Sequence, residues 1–308
     1  MTGPSRTNGP GFTPALVCRS FAKVNLYLDV LPRRADGFHN IETVFQTVGL
    51  WDELSFAPAE DGMVALACPR AGLSTGPDNL VCRAAALLNR EAGTGHGARI
   101  HLEKRIPVAA GLAGGSGNAA AALVALNSLW GLNFPQARLA RLALELGSDV
   151  PYCLTGGLMA GTLRGEELHS LPPAPETWFV LVHPPVAVST RDAYNHPLLE
   201  KNQETPFAGK TASFRRALRG LAGGDLAGTL FNRMEAPIFH THPQLAEIKA
   251  ALIGAGCAAA VMSGSGPTVY GICPSQDEAQ SCRDRLAANG LECPVSVVGA
   301  VPRALEFV

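Results

Sequence analysis

Alternation of apolar and polar residues is the clearest pattern near the start of the chain. Between residues 16 and 30, one set of alternate positions is apolar except for Ser20: Leu16, Cys18, Ala22, Val24, Leu26, Leu28 and Val30. The other set is Arg19, Phe21, Lys23, Asn25, Tyr27 and Asp29. A period of two predicts a β-strand with one buried face. Lys23 and Asn25 then lie side by side on the opposite face.

Patterns of the same kind predict the other elements. Strands are indicated at 41–57, 62–68, 98–106, 179–188 and, as the last one, 293–301, with two more around a Gly/Ser turn in 258–273. Helices are indicated at 78–93, after a glycine-rich loop near 111–117, at 135–147, over most of 212–240, and at 242–256 and 276–290. Strands followed by helices, without strict βαβ alternation, predict an α+β fold.

Local signals mark the ends of several of these helices. Asp78 is a plausible N-cap, Pro135 stands near a helix start, and Gly147 stands at a helix stop. After the glycine-rich loop, an apolar stripe recurs at helical spacing through Ala119, Leu123, Leu126 and Trp130.

The length predicts two domains. The Pro-rich stretch "PPAPETW", which begins at residue 172, is the best boundary. We therefore expect a disordered lead-in at 1–14, an N-terminal domain at 15–171 and a C-terminal domain at 172–308.

Composition narrows the class of protein. Hydrophobic residues make up 47% of the 308 residues and charged residues 17%, which excludes a disordered chain. The net charge is −1 and basic residues do not cluster, so neither nucleic acid nor an anionic membrane surface is indicated. No apolar run reaches the roughly 18 residues of a membrane span. We expect a cytoplasmic protein, monomeric or homodimeric.

The cysteines support the same compartment. The chain has 8, at positions 18, 68, 82, 153, 257, 273, 282 and 293, and none forms a C-x-x-C pair. Disulfide frameworks and zinc sites normally show tight pairs, so we expect buried free thiols in a reducing environment.

The stretch "IPVAAGLAGGSGNAAAAL" joins a glycine-rich turn directly to a helix. Such a turn exposes backbone N–H groups at the positive end of the helix dipole, where phosphate binds well. Ser116 and Asn118 add side-chain donors. The plainer interpretation is a tight turn with Ser116 as an ordinary N-cap, and the residues alone leave both open.

Two other nucleotide motifs fit poorly. Residues 115–120 match G-x-G-x-x-G/A, but the preceding strand is half exposed, and the only carboxylate at suitable distance, Glu145, lies within a helical pattern. Gly209-Lys210-Thr211 resembles the end of a P-loop, but Glu204 stands where its first glycine should be.

The stretch "KRIPVAAGLAGGSGNAAAAL" resembles the ATP-binding loop of the GHMP kinases. "FAKVNLYLDVLPRRADGFHNIETVFQTV", "LGSDVPYCLTGGLMAGTLRGEEL" and "MSGSGPTVYG" resemble one branch in the expected order. That branch phosphorylates the 2-hydroxyl of 4-diphosphocytidyl-2-C-methyl-D-erythritol, a cytidine diphosphate sugar alcohol of non-mevalonate isoprenoid biosynthesis.

The glycine-rich loop departs from the usual family sequence at Ala113, where glycine is usual, and at Gly117, where serine is usual. The missing hydroxyl puts one contact to phosphate or magnesium in doubt.

The resemblance implies roles for particular residues. Asp149 is the expected base for the substrate hydroxyl, with Lys23 beside it, although position alone favours a cap or turn for Asp149 and a solvated strand face for Lys23. Phe38 and Tyr194 are expected to sandwich the cytosine, His39 to bind its edge, and Asn25 and Thr190 to lie nearby; core packing and a turn are the alternatives. The expected ATP site comprises Asn79 and Leu80 at the adenine and, along the loop, Pro107, Ala109, Ala110, Gly111, Leu112, Ala113, Gly114, Gly115, Ser116, Gly117 and Asn118.

The resemblance also implies the architecture and the co-substrate. We expect a two-domain α+β fold, with an S5-like N-terminal domain, a ferredoxin-like C-terminal domain and a cleft between them. Gly264 and Gly266 would support that cleft, or simply form a hairpin. ATP would enter with Mg²⁺, whose protein ligands the sequence does not identify. A homoserine or mevalonate kinase, or a non-catalytic nucleotide-binding regulator, are the alternative functions.

Overall fold

The computed structural model describes residues 12–35 and 37–308. Residues 1–11 of the expected lead-in, and Asp36 of the "DGFHN" segment, lie outside the described residues.

The strands are β1 (Leu16–Arg33), β2 (His39–Ala59), β3 (Val64–Ala67), β4 (Gly97–Glu103), β5 (Leu158–Thr162), β6 (Glu167–Ser170), β7 (Trp178–Val182), β8 (Phe231–Asn232), β9 (Ala259–Met262), β10 (Val269–Cys273), β11 (Val295–Gly299) and β12 (Leu305–Phe307). The helices are α1 (Leu80–Ala92), α2 (Gly114–Leu129), α3 (Gln136–Leu146), α4 (Val150–Cys153), α5 (Thr190–Asn195), α6 (Ala212–Ala222), α7 (Glu235–Thr241), α8 (Pro243–Gly254) and α9 (Gln276–Ala288).

Two sheets organise these elements. The larger sheet has the order β12-β1-β2-β4-β3, with β5 and then β6 added beside β2, and β8 added beside β1. The smaller sheet has the order β11-β7-β10-β9 and is antiparallel. Helices α8 and α9 pack on the smaller sheet through a cluster that includes Leu252, Val182 and Leu286. The predicted α+β class is confirmed.

The first strand differs from its prediction in one respect. The alternation does form β1, but residues 22–31 are buried on both faces, not one. Val24 and Leu26 pack with Leu181 and Tyr270 of the smaller sheet. On the other face, the Lys23 side chain donates to the carbonyl of Gly111 in the glycine-rich loop. The predicted solvated face is therefore wrong, because the loop covers it.

Helix α2 is buried on nearly all sides. Its consecutive alanines Ala119–Ala122 are fully buried, and Leu123 and Leu126 lie in the same cluster as residues of α1 and α3. Trp130 of the predicted stripe is the C-cap and lies outside the helix. Small side chains let α1 and α3 approach closely, so packing holds the start of α2 firmly in place.

Several predicted boundaries need correction. The N-cap of α1 is Asn79, not Asp78, because the Asn79 side chain accepts the Val81 amide. The region predicted as mostly helical, 212–240, is interrupted after Gly223 by a 3₁₀ turn at Ala227–Thr229 and by β8.

The predicted strand at 179–188 ends in the structure at Val182. The strand predicted as the last, at 293–301, is followed by β12, which pairs antiparallel with β1. Both β8 and β12 follow the predicted boundary, yet both join the larger sheet.

None of the helices in the described part of the chain has the length and apolarity needed to cross a bilayer.

Candidate active site

A cavity of about 1120 Å³ opens beside β1 and the start of α2. Most of the residues predicted for the site line it: Lys23, Asn25, Phe38, His39, Asn79, Leu80, Pro107, Ala109, Ala110, Gly111, Ala113, Gly114, Gly115, Ser116, Asn118, Asp149, Thr190 and Tyr194. The structure leaves two of them, Leu112 and Gly117, off the cavity wall. Leu112 is buried beneath the loop, and a Cβ at Gly117 would point at Ser20 of β1.

The start of α2 presents unpaired amides to this cavity. The N-cap is Ala113, which is in the left-handed region at φ 55° and has no capping side chain. The first amide bonded back to the turn is that of Gly117, which donates to the Ala113 carbonyl at 2.8 Å. No acceptor among the described residues bonds the N–H groups of Gly114, Gly115 and Ser116, which lie at the positive end of a helix. The interpretation of Ser116 as an N-cap is wrong, because Ser116 is the third residue of the helix.

The turn before α2 is held by the late Gly/Ser motif. Gly111 has φ 74°, and a Cβ there would lie 2.2 Å from the carbonyl oxygen of Ser263. The Ser263 hydroxyl donates to the Gly111 carbonyl at 2.9 Å. Gly264 lines the cavity, whereas Gly266 contributes through the turn that carries Ser263. The expectation that this motif supports the loop through its backbone fits these contacts.

Lys23 and Asp149 meet at the cavity wall. The Lys23 ammonium lies 3.4 Å from an Asp149 carboxylate oxygen, and the two side chains are 5% and 35% exposed. The ammonium also donates to the Asn25 side chain at 2.8 Å and to the Gly111 carbonyl at 3.4 Å. Asp149 stands at the N-cap position of α4 but makes no capping hydrogen bond. Its carboxylate is therefore directed to Lys23 and the cavity, not to a local turn.

A second buried ammonium lies under the loop and was missed from the sequence. Lys104 donates to Asp52 at 2.5 Å, and both side chains are almost fully buried. Asp52 also accepts the amides of Arg105 at 2.7 Å and Ile106 at 2.8 Å. Burial lowers the pKa of Lys104, and Asp52 opposes that effect. Lys104 lines the cavity, and its nitrogen is 2.7 Å from the position of a Cβ on Gly114.

The signal for Lys104 was a lysine at the end of a half-exposed strand, immediately before the loop. That signal was weak, because a terminal lysine is usually solvated.

The far side of the cavity carries the aromatic residues. The His39 and Tyr194 rings are stacked, with centroids 5.8 Å apart and planes at 13°. Phe38 is 52% exposed, and the Arg164 guanidinium lies 4.8 Å from its ring centroid. The ring against Tyr194 is thus that of His39, with Phe38 nearby on the same cavity wall. Burial raises the pKa of Tyr194, and the nearby Asp149 carboxylate adds to the rise, so its hydroxyl stays protonated.

Hydrogen bonds fix two polar groups on this side. The His39 Nδ1 lies 3.0 Å from the carbonyl of Leu31. A carbonyl only accepts, so Nδ1 carries the proton and Nε2 of the neutral ring is an acceptor. The Thr190 hydroxyl is 2.8 Å from that of Ser265. Sequence reasoning missed Arg164 and Ser265, which no local pattern distinguishes from ordinary loop residues.

At the other end of the cavity, the Asn79 amide group is used in two structural bonds. It accepts from the Val81 amide at 2.9 Å and donates to the Ser74 carbonyl at 2.7 Å. Leu80 beside it is half-buried and offers an apolar contact surface. This end of the cavity lies next to the start of α2, since a Cβ on Gly115 would be 3.7 Å from the Leu80 side chain.

Two family models match the chain. The model described as "GHMP kinases N terminal domain" covers residues 79–157, and the one described as "GHMP kinases C terminal" covers residues 208–291. Together they span the glycine-rich loop, Asp149 and the Gly/Ser motif.

Curated relatives cover most of the chain. A protein of Pelotomaculum thermopropionicum named 4-diphosphocytidyl-2-C-methyl-D-erythritol kinase is 45% identical over 86% of this chain and 91% of its own. A protein of Moorella thermoacetica with the same name is 42% identical over 88% of this chain and 94% of its own.

Solved structures give the same picture. A crystal structure of 4-(cytidine 5'-diphospho)-2C-methyl-D-erythritol kinase superposes with a TM-score of 0.76 at 32% identity, covering 92% of this chain and 98% of its own. A homoserine kinase from Cytophaga hutchinsonii gives 0.74 at 20% identity, covering 98% of this chain and 100% of its own, and is similar in fold alone.

Proposed function

The chain belongs to the GHMP kinase family, and from that premise we propose that it transfers the γ-phosphoryl group of ATP to the 2-hydroxyl of 4-diphosphocytidyl-2-C-methyl-D-erythritol. One observation carries the proposal. The free amides of Gly114, Gly115 and Ser116 face the same cavity as the Lys23–Asp149 pair. A volume of about 1120 Å³ exceeds the roughly 300–1,000 Å³ of an ordinary ligand pocket and suits two nucleotide-sized molecules.

The ATP phosphates are assigned to the start of α2. Three free amides, a helix dipole worth about half a positive charge and the Lys104 ammonium act together there on an anion. The adenine would extend from there toward Asn79 and Leu80, which line the cavity beside the start of α2. Backbone amides bind any phosphate without a side-chain requirement, so Ala113 and Gly117 are compatible with this role.

Magnesium would arrive with ATP, and the cavity has groups that suit it. Asn118 lines the cavity, and its side-chain oxygen is buried with no hydrogen-bond partner among the described residues. Ser116 and Asp149 also line the cavity and carry side-chain oxygens. Mg²⁺ prefers oxygen ligands and keeps several waters, so Asn118 would contact the ion or one of its waters. When bound, it would neutralise charge on the phosphates.

The transfer itself needs a base and a cation. Asp149 would accept the proton of the 2-hydroxyl as that oxygen bonds to the γ-phosphorus and the bond to the β-phosphate oxygen breaks. Lys23 would hold Asp149 in position and stabilise charge on the phosphoryl oxygens. Its bonds to Asn25 and Gly111 fix the ammonium between the carboxylate and the loop.

The cytosine is assigned to the aromatic side. Cytosine presents an amino donor where uracil presents a carbonyl acceptor. Because Nδ1 of His39 donates to Leu31, its Nε2 is left to accept that amino group. Phe38 and Tyr194 would stack on the base, since any base offers a π face. Arg164, whose guanidinium lies over Phe38 on the cavity wall, would pair with the diphosphate.

A coupled ADP-release assay tests the function. It compares the cytidylated sugar alcohol with homoserine and mevalonate at equal concentrations. We expect kcat/KM to be highest for the cytidylated substrate. Faster turnover of homoserine or mevalonate would assign the chain to another branch, and ATP binding with no turnover would favour a regulator.

The base-binding role is tested by Phe38→Ala and Tyr194→Ala. Each should raise KM for the cytidylated substrate roughly 5- to 150-fold, which corresponds to a loss of about 1–3 kcal/mol of stacking free energy. The KM for ATP should stay the same. Phe207→Ala is the matched control, because Phe207 is also exposed under a guanidinium, that of Arg215, and does not line the cavity. An unchanged KM in both cavity variants would remove the stacking proposal.

We also propose the domain division at residues 172–178, with β8 and β12 as C-terminal strands that complete the N-terminal sheet. The cytoplasmic location and the monomeric or homodimeric state stay predictions.

A further inference from the structure

Three cysteines that are distant in sequence meet in the core beside the smaller sheet. Cys257 follows α8, Cys273 ends β10, and Cys282 lies within α9. The Cys273 sulfur is 3.9 Å from that of Cys257 and 3.7 Å from that of Cys282. All three sulfurs lie within 4.8 Å of one another. We refer to these three residues as the cysteine cluster.

The spacing of the sulfurs matches that around a single metal ion. An ion bonded to each sulfur at about 2.3 Å separates them by about 3.8 Å at tetrahedral angles and about 4.0 Å in a trigonal plane. The observed 3.7 and 3.9 Å are close to these values. We infer that the cysteine cluster is a binding site for a soft monovalent metal ion, Cu(I), held by three sulfurs.

The ligand set selects among thiophilic metals. Thiolates suit Cu(I), Zn²⁺ and iron–sulfur clusters. Structural zinc sites are almost always four-coordinate, and the common iron–sulfur clusters use four protein ligands. Among the described residues, no fourth Cys, His, Asp or Glu joins the group. Three sulfurs with no fourth ligand therefore favour Cu(I).

The surroundings are compatible with a bound cation. Cys257, Cys273 and Cys282 are 5%, 2% and 0% exposed, so water does not compete as a ligand. The site is nevertheless shallow, because the chain neighbours Gly256 and Pro274 are exposed.

Charge at the site is partly balanced. Binding replaces three S–H bonds with three S–Cu bonds, releases three protons to solvent and leaves the copper as Cu(I). The resulting complex carries two negative charges. The Arg285 guanidinium lies 3.4 Å from the Cys282 sulfur and offsets one of them. The opposing carboxylate of Glu278 is exposed, so solvent screens it.

The cysteine cluster is separate from the catalytic cavity. Thr268, just before β10, contacts the loop at Ala110, whereas Cys273 ends the same strand. Five residues of strand at about 3.3 Å each place the two sites some 16 Å apart along it. Copper binding at the cysteine cluster therefore does not depend on the proposed kinase activity.

Anaerobic titration of the reduced full-length chain with the Cu(I)–bicinchoninate complex tests the inference. We expect the protein to withdraw one equivalent of Cu(I), and X-ray absorption to give three sulfur neighbours at about 2.2–2.3 Å. Cys273→Ser should lose that equivalent. Cys18→Ser, which removes an equally buried single thiol, should retain it.

Three outcomes would overturn the inference. The protein withdraws no copper from bicinchoninate, Cys273→Ser retains the same equivalent of copper, or the absorption spectrum shows nitrogen and oxygen neighbours around the metal. Turnover of the cytidylated substrate reports whether each variant is folded. If Cys273→Ser is inactive, Cys257→Ser and Cys282→Ser serve instead, and retention of the equivalent in both refutes the site.

Discussion

Replacing Asp149 by Asn separates catalysis from folding, because the side chain keeps its shape and loses its charge. The Asp149 side chain is 35% exposed and so partly screened by solvent, and an asparagine in its place keeps an oxygen for the buried Lys23 ammonium. The ammonium also keeps two oxygen partners, on Asn25 and Gly111. A general base typically contributes about 10²–10⁴-fold, or about 2.7–5.4 kcal/mol at 1.36 kcal/mol per factor of ten. The loss in kcat should therefore far exceed the loss in stability.

The assay is kcat from steady-state ADP release, with substrate binding measured by calorimetry and Tm by thermal melting. We expect kcat to fall 10²–10⁴-fold. The Kd for ATP, the Kd for the cytidylated substrate and Tm should change little. Asp78→Asn is the control, since Asp78 is a carboxylate on the same cavity whose oxygen is bonded to Ser74. Near-normal kcat in Asp149→Asn would refute its assignment as the base. A large fall in Tm would instead mean that the pair is structural.

Three further predictions concern the loop and the buried histidine. Gly111→Ala should destabilise the fold by about 1–3 kcal/mol more than Gly72→Ala, because both residues have positive φ but only Gly111 would press a Cβ on the Ser263 carbonyl. Equal urea concentrations at the unfolding midpoints of Gly111→Ala and Gly72→Ala would contradict this prediction. Ala113→Gly should stabilise by about 0.5–1 kcal/mol, since alanine there is held at φ 55°; an unchanged or lower midpoint would refute it. Burial lowers the pKa of His183 to about 4, so the folded ring stays neutral while the unfolded one gains a proton below about 6.5. Stability should fall by up to about 3 kcal/mol from pH 6.5 to 4, and parallel pH profiles for wild type and His183→Gln would contradict that.

Local patterns predicted the elements that carry the site. The alternation around Lys23, the glycine-rich turn and the helix stop at Gly147 all appear where expected. These features depend on backbone conformation and on which face of an element is apolar, and both are encoded by neighbouring residues. The family resemblance added roles for Asp149 and the aromatic residues, which no local pattern provides.

Long-range contacts were beyond local reasoning. The Lys104–Asp52 pair joins residues 52 positions apart, and the cysteine cluster joins three separate elements. The short strand β12 also escaped notice, because its three residues pair with β1 at the far end of the sequence. The cysteines are free as predicted, but Cys68, Cys82 and Cys293 are only partly buried, and spacing in sequence carries no information about distance in space.

The two departures of the loop from the family pattern have different physical consequences. Ala113 occupies a left-handed position where a Cβ is strained, so the usual glycine there reflects backbone conformation, and alanine keeps the same geometry at some cost in stability. At Gly117 a Cβ would lie 2.4 Å from the Ser20 hydroxyl, which is buried and has no partner among the described residues. If serine replaced Gly117, its side chain would leave the backbone in the direction of β1. Neither departure alters the amides that face the cavity, so the proposed phosphate site depends on the helix start and not on the consensus side chains.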